Sequence, residues 1–226
     1  MAEPDDPFLI KICGLTTPET LEVALDAGAD MIGLNFHRKS PRYVAPDVAA
    51  TLAVMARGRA ESVALLVDPS ADTIDHILTM VDPDMIQLHG QETPHRVADI
   101  RAQIARPVMK AIGISTADDL AQIEPYWTVS DRLLLDAKPP KDAAYPGGHG
   151  QPFDWALLDG MEPPLPFMLA GGLNPDTVAG AITRVKKGGA RLIGVDVSSG
   201  VESAPGVKDT AMIRAFIAAA REAAGA

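Results

Sequence analysis

The sequence lacks several features that mark common classes of protein. Its 226 residues include one cysteine, Cys13, so an internal disulfide framework is excluded and a reducing compartment is favoured. No apolar stretch approaches the roughly 20 residues that a helix needs to cross a bilayer. Residues 1–6 are acidic and lack the basic start of a signal peptide. We therefore expect a cytoplasmic, soluble protein with no membrane partner.

Positive charge is also scarce. The chain has 20 lysines and arginines against 30 aspartates and glutamates, which gives a formal net charge of -10. This balance argues against a general affinity for nucleic acid. An anionic ligand would need a local site, and helix N-termini and single arginines are the usual devices. The chain also lacks a P-loop, a GxGxxG motif and any His/Cys/Asp cluster with metal-ligand spacing, so we expect no metal.

Short apolar runs alternate with helical patterns along the chain. The runs predict strands at 8–13, 31–36, 62–67, 85–89, 108–112, 132–136, 166–170 and 192–197. The helical spacings predict helices at 18–27, 46–57, 71–81, 93–105, 117–123, 175–186 and 207–223. Thr17-Pro18 and Asn174-Pro175 are typical helix starts. Eight such units predict an α/β fold, a single-domain (β/α)8 barrel over residues 1–226, with an open doubly wound sheet as the alternative.

In a barrel the C-terminal ends of the strands form the active face. Cys13 ends the first strand, where a thiol can work as a base or a nucleophile, although most lone cysteines are inert small hydrophobes. Asp136 ends the sixth strand, where a carboxyl group leaving an apolar run suits a general acid. The alternative for Asp136 is a helix cap or a solvated loop acid.

The ends of strands seven and eight are rich in glycine and serine. Gly171 and Gly172 follow strand seven, and Ser198, Ser199 and Gly200 follow strand eight. Glycines let backbone N–H groups approach an oxyanion, and barrels commonly hold phosphate at these two strand ends. A tight βα turn is the alternative reading of the Gly-Gly pair. The sequence favours a phosphate site.

Two further residues are weaker candidates. Arg42 lies in the long loop at 37–45 and is able to bind a carboxylate through two hydrogen bonds. His89 ends the fourth strand, where it lines the pocket or bonds to a neighbouring loop. Long loops in compact domains tend to be functional, and a second one follows strand six at 137–152.

Taken in order, these segments resemble the phosphoribosylanthranilate isomerase family of tryptophan biosynthesis. The matching pieces are Lys11-Ile12-Cys13-Gly14-Leu15-Thr16, Ser40-Pro41-Arg42-Tyr43-Val44, Gln87-Leu88-His89-Gly90, Leu134-Leu135-Asp136, Gly147-Gly148-His149-Gly150 with Phe153-Asp154-Trp155, Ala170-Gly171-Gly172-Leu173-Asn174, and Asp196-Val197-Ser198-Ser199-Gly200-Val201-Glu202. Each piece is weak alone, but the ordered set covers essentially the whole chain. One departure is His149, which stands where the family usually carries a small hydroxyl residue.

The resemblance implies an Amadori rearrangement of a phosphosugar substrate without metal or cofactor. It implies that Asp136 is the general acid and Cys13 the general base. It further implies that Arg42 binds the anthranilate carboxylate, and that the phosphate end is formed by Gly171, Gly172, Asp196, Ser198, Ser199 and Gly200. His89 is expected to contact substrate. We expect a monomer, with a dimer as the alternative.

A cysteine base needs appreciable thiolate near neutral pH, so we expect the pKa of Cys13 to lie below its free value of about 8.5. Lys11 shares a strand face with Cys13. A buried ammonium there would need an anionic partner and would favour the thiolate. The alternative is that Lys11 is only a structural ion-pair member.

Three rival functions stay open on the sequence alone. The first is a histidine-pathway isomerase that performs the same chemistry with two aspartates, and the second is a bifunctional barrel that serves both pathways. Cys13 at the end of strand one argues against both. The third is a catalytically silent phosphate-binding barrel, which would need neither Cys13 nor Asp136.

Overall fold

Eight parallel strands form a closed barrel in a computed structural model that describes residues 7–138, 153–161 and 165–225. The strands are β1 (Leu9–Cys13), β2 (Met31–Asn35), β3 (Glu61–Leu66), β4 (Met85–Leu88), β5 (Val108–Ile114), β6 (Arg132–Ala137), β7 (Phe167–Leu169) and β8 (Leu192–Val197). Each strand pairs with the next along the chain, and β8 pairs with β1. The predicted (β/α)8 barrel is confirmed, and the open doubly wound sheet is wrong.

Helices follow most of the strands in the described part of the chain. They are α1 (Pro18–Asp26), α2 (Pro46–Ala56), α3 (Ala71–Val81), α4 (Pro94–Gln103), α5 (Ala117–Leu120), α6 (Val178–Lys187) and α7 (Thr210–Ala224). The Thr17 hydroxyl caps α1 by accepting a hydrogen bond from the N–H of Thr20 at 3.3 Å, as the Thr17-Pro18 signal predicts. Residues 153–161, between β6 and β7, contain the 3-10 helix Trp155–Leu158. No helix of the described residues is long and apolar enough to span a membrane.

The predicted start of the helix at 175–186 is wrong. The helix begins at Val178 instead. The side chain of Asn174 accepts hydrogen bonds from the N–H groups of Asp176 at 2.9 Å and Thr177 at 3.0 Å. These bonds stabilise a turn at 175–177 that leads into the helix.

The predicted last helix, 207–223, also begins too early. The chain first forms a two-stranded hairpin from β9 (Glu202–Ala204) and β10 (Val207–Lys208). The helix then starts at Thr210, because the Asp209 carboxylate caps its first N–H groups at 2.8 and 2.9 Å. The hairpin carries two side chains that turn out to belong to the site.

The barrel interior holds a cluster of apolar side chains as well as polar ones. Every second residue of a strand faces inward, and the apolar cluster consists of Met31, Val63, Met85, Met109, Ala111, Leu134, Met168 and Ala170. Methionine side chains are unbranched and fill irregular space of this kind. Lys11 is level with Met31, whereas Cys13 is level with Gly33 and so lies nearer the C-terminal ends of the strands. This end carries the polar side chains considered below.

Replacement of Met109 tests how much the apolar cluster contributes to stability. Met109 has no exposed surface, so Met109→Ala leaves a cavity and should lower the free energy of unfolding by about 2–5 kcal/mol. Met109→Leu conserves volume and should cost less than about 1.5 kcal/mol. Met80 is 47% exposed on α3, so Met80→Ala should change the free energy of unfolding by less than about 0.5 kcal/mol. Urea unfolding monitored by circular dichroism measures all three, and equal losses at positions 80 and 109 would contradict this description.

Candidate active site

Cys13 ends β1 and is buried inside the barrel, with 4% of its surface exposed. Gly33 lies opposite it on β2. A Cβ atom added to Gly33 would lie 2.6 Å from the Cys13 sulfur, which is closer than any real contact allows. The absence of a side chain at position 33 therefore creates the space that the thiol fills.

Lys11 and Asp196 form an ion pair one layer below the thiol. The register of β1 on β8 sets the two residues side by side, and Lys11 Nζ lies 2.8 Å from Asp196 Oδ1. The Lys11 side chain has no exposed surface. Burial alone would lower the pKa of Lys11, but the charges of Asp196 and Cys13 outweigh it and hold that pKa above its ordinary value. The anionic partner expected for Lys11 is thus Asp196.

Burial raises the pKa of the Cys13 thiol above its ordinary value. The charge of Lys11 opposes this rise, Asp196 adds to it, and Lys208 opposes it. The expectation of a thiol pKa below the free value is therefore wrong, because burial disfavours the thiolate more than the charges of the two lysines favour it. Lys11 does favour the thiolate, as its position on the strand suggested.

Arg42 is held by Glu202 in a second buried cluster. Arg42 Nε lies 2.7 Å from Glu202 Oε1, and Nη2 lies 2.9 Å from Oε2. Lys208 Nζ also donates to Glu202 Oε1 at 2.8 Å. Burial alone would raise the pKa of Glu202, but the hydrogen bonds from Arg42 and Lys208 and their charges lower it. The carboxylate therefore stays ionised between two cations.

Ser198 links this cluster to Cys13. Its hydroxyl donates to the backbone carbonyl of Cys13 at 3.1 Å, and Lys208 Nζ donates to the Ser198 carbonyl at 2.8 Å. Sequence reasoning missed Lys208 entirely, since it fell in a stretch predicted as helix. Glu202 belonged to a matching motif but had no assigned role. The pairing of Glu202 with Lys208 depends on the hairpin of β9 and β10, which no local sequence pattern predicted.

Asp136 lies at the end of β6, 7% exposed, and faces the barrel interior with His89 beside it. Asp136 Oδ1 accepts a hydrogen bond from the N–H of Ala137 at 2.8 Å. His89 Nε2 lies 3.3 Å from Asp136 Oδ2, and His89 Nδ1 lies 3.1 Å from Gln87 Nε2. The structure thus brings His89 to Asp136, and it adds Gln87, which the sequence did not single out.

The glycines after β7 and β8 sit where a side chain would not fit. Gly171 has φ 84°, and its Cβ would lie 2.5 Å from the N atom of Ala137. Gly200 would place a Cβ 1.8 Å from the carbonyl oxygen of Leu173. The loop after β8 therefore packs directly on the loop after β7, and the predicted residues Gly171, Gly172, Ser198, Ser199 and Gly200 come from these two adjoining loops. Asp196 lies deeper, with Lys11.

A cavity of about 730 Å³ opens beside Asp136, between the loops that follow β4 and β5. Its lining includes His89, Lys110, Tyr126 and Lys138. Lys110 is itself paired with Glu92 at 2.8 Å. Ligand pockets commonly measure about 300–1,000 Å³, so Asp136 borders space that is large enough for a small molecule.

Some predictions fall on residues that the structure does not describe. His149, the Gly147–Gly150 piece and most of the loop at 137–152 lie outside the described residues. Within residues 7–138, 153–161 and 165–225, no group of three His, Cys, Asp or Glu side chains is placed to hold a metal ion. The described groups suit proton transfer, since a carboxyl group and a thiol lie on two strands that face one interior.

The chain resembles proteins of one family over almost its whole length. Residues 10–219 match the family model described as "PRAI: N-(5'phosphoribosyl)anthranilate (PRA) isomerase". A curated N-(5'-phosphoribosyl)anthranilate isomerase from Afipia carboxidovorans is 55% identical over 216 residues, which cover 96% of this chain and 90% of the relative.

Solved structures agree with the sequence comparison. The phosphoribosyl anthranilate isomerase of Thermotoga maritima superposes with a TM-score of 0.83 at 33% identity, over 95% of this chain and 98% of that one. A phosphoribosyl anthranilate isomerase in complex with reduced 1-(o-carboxyphenylamino)-1-deoxyribulose 5-phosphate gives a TM-score of 0.79 at 32% identity, with the same coverage. Sequence and fold lead to one conclusion: this chain belongs to the N-(5'-phosphoribosyl)anthranilate isomerase family.

Proposed function

We propose that this enzyme converts N-(5'-phosphoribosyl)anthranilate to 1-(2-carboxyphenylamino)-1-deoxyribulose 5-phosphate, a step of tryptophan biosynthesis. The observation that carries the proposal is the placement of Cys13 and Asp136. Both face the barrel interior at the C-terminal ends of strands β1 and β6, in a chain of this family. This reaction needs one acid and one base, and these strand ends are where barrels carry such groups.

The first step uses Asp136 as the acid. Its carboxyl group gives a proton to the ring oxygen of the ribose, the bond from C1 to that oxygen breaks, and the nitrogen lone pair forms an iminium. Asp136 is left as a carboxylate. The N–H of Ala137, 2.8 Å from Oδ1, and the ring of His89, 3.3 Å from Oδ2, face the charge that develops there.

The second step uses Cys13 as the base. Its thiolate takes the proton from C2 of the sugar, and the C–H electron pair forms an enolamine while it neutralises the iminium. The enolamine then tautomerises to the ketone. The raised pKa of Cys13 makes the thiolate a strong base that is scarce near neutral pH, and the cationic iminium beside it favours its formation.

The two ends of the substrate carry the negative charges that need local binding sites. We assign the anthranilate carboxylate to Arg42, whose guanidinium Glu202 holds in place. We assign the phosphate to Gly171, Gly172, Ser198, Ser199 and Gly200, where two glycine-containing loops pack on each other. Substrate contacts of His89 and Asp196 stay predictions, as do a monomeric state, a cytoplasmic location and the lack of a cofactor.

Turnover of enzymatically generated phosphoribosylanthranilate, followed by its fluorescence, tests the function and the two roles. The wild type should convert it. Cys13→Ser and Asp136→Asn should each keep the barrel fold by circular dichroism and lose roughly 10²–10⁴-fold in kcat. Near-wild-type kcat in either variant would overturn that residue's role. No conversion by the wild type would overturn the function itself.

Removal of Lys11 tests the electrostatics of the base. Because Lys11 lowers the pKa of the Cys13 thiol, Lys11→Met should raise that pKa. The single cysteine of the sequence allows a direct measurement from the pH dependence of iodoacetamide alkylation. Lys110→Met is the matched control, since Lys110 is a similarly buried lysine on β5 that pairs with Glu92 instead. An unchanged thiol pKa in Lys11→Met would show that the lysine is only structural.

Truncation of Arg42 tests the carboxylate site. Loss of a charged hydrogen-bonding partner should raise KM for the substrate roughly 10- to 100-fold. Inhibition by inorganic phosphate should change less than about twofold, since Arg42 is assigned to the other end. Arg132→Ala is the control, because Arg132 pairs with Glu61 at the opposite end of the barrel. Equal weakening of substrate and phosphate binding by Arg42→Ala would move Arg42 to the phosphate end.

A further inference from the structure

Gln87 is a buried amide in an apolar part of the barrel interior. It has no exposed surface. Its neighbours in register on the two adjoining strands are Leu65 and Met109. Among the described residues its side chain has one hydrogen-bond partner, the ring nitrogen Nδ1 of His89 at 3.1 Å, and its Oε1 atom is buried without a partner.

A buried amide with one unpaired atom is costly, because that atom loses its hydrogen bonds to water and gains none within the protein. A second methionine or leucine would fill this position at lower cost, as it does on both neighbouring strands. The amide is therefore explained by what its Nε2 atom does at His89. Position 87 serves the histidine rather than the packing of the barrel.

We propose that Gln87 is a positioning residue that fixes the tautomer of His89 for the acid Asp136. The amide N–H of Gln87 donates to Nδ1, so a neutral His89 carries its proton on Nε2. Nε2 lies 3.3 Å from Asp136 Oδ2. The inference rests on the proposed function, since it gives His89 a role in the acid step.

The arrangement acts through the charge that forms on Asp136. When Asp136 gives up its proton, its carboxylate gains a negative charge that an Nε2–H group stabilises. The contact of 3.3 Å is long, and contacts of this kind shorten as charge develops. The reverse orientation of the amide would put the proton on Nδ1. Once Asp136 has given up its proton, a bare Nε2 would then face a carboxylate oxygen, and two acceptors would repel each other.

Nitrogen NMR of the imidazole rings tests the tautomer without any turnover. The sequence has five histidines, and loss of one signal set in His89→Asn assigns the ring. The wild type should show His89 with its proton on Nε2. Gln87→Glu, which in its ionised form offers only acceptors, should move the proton to Nδ1, and Gln87→Met should leave a mixture. A wild-type His89 with its proton on Nδ1 would overturn the proposal.

Kinetics supply the second readout. Gln87→Glu and Gln87→Met should lower kcat roughly 10- to 100-fold, the scale on which residues that orient a functional histidine act, and leave KM within about threefold. Met85→Leu, on the same strand, should change kcat less than about twofold. If Gln87→Glu does not fold, Gln87→Met decides. Unchanged kcat in Gln87→Met would overturn the proposal. A wild type with the expected tautomer but no turnover would overturn the proposed function alone.

Discussion

The ion pair between Lys11 and Asp196 is the constraint on which Cys13, the proposed base, depends. It joins the first and last strands of the barrel at 2.8 Å, in the layer directly below Cys13. Buried charges are stable only when paired, so each residue requires the other. The pair leaves a cation next to the Cys13 thiol, and this cation opposes the rise in pKa that burial causes. The same ion pair therefore joins the two strands that close the barrel and affects the pKa of Cys13.

A second buried cluster connects Arg42, the proposed carboxylate site, to the same thiol. Glu202 holds Arg42 and Lys208, and Lys208 binds the carbonyl of Ser198, whose hydroxyl binds the carbonyl of Cys13. Side chains proposed to bind substrate and to transfer its proton, which come from three strand ends, therefore share one continuous set of hydrogen bonds. In a chain with a net charge of -10, such a cluster supplies the local positive charge that an anionic substrate needs.

The sequence predicted those parts of the fold that local patterns control. Apolar runs marked all eight strands, and Thr17 capped its helix as expected. The residues that were missed depend on long-range contacts. Lys208 belongs to the site only because a hairpin turns it back onto Glu202. The raised pKa of the Cys13 thiol was not predicted, because strand position places Lys11 near the thiol but does not show how deeply the thiol is buried. Gln87 stood in a matching motif but received no role, since its neighbours are known only from the register.

The central claim is that Cys13 removes a proton and forms no bond to carbon. Mass spectrometry of the intact enzyme, quenched during turnover of substrate deuterated at C2 of the sugar, tests this claim most directly. The account predicts that the protein mass stays unmodified while deuterium from C2 is released to the solvent. An increase of protein mass by one substrate unit, located on Cys13, would contradict it.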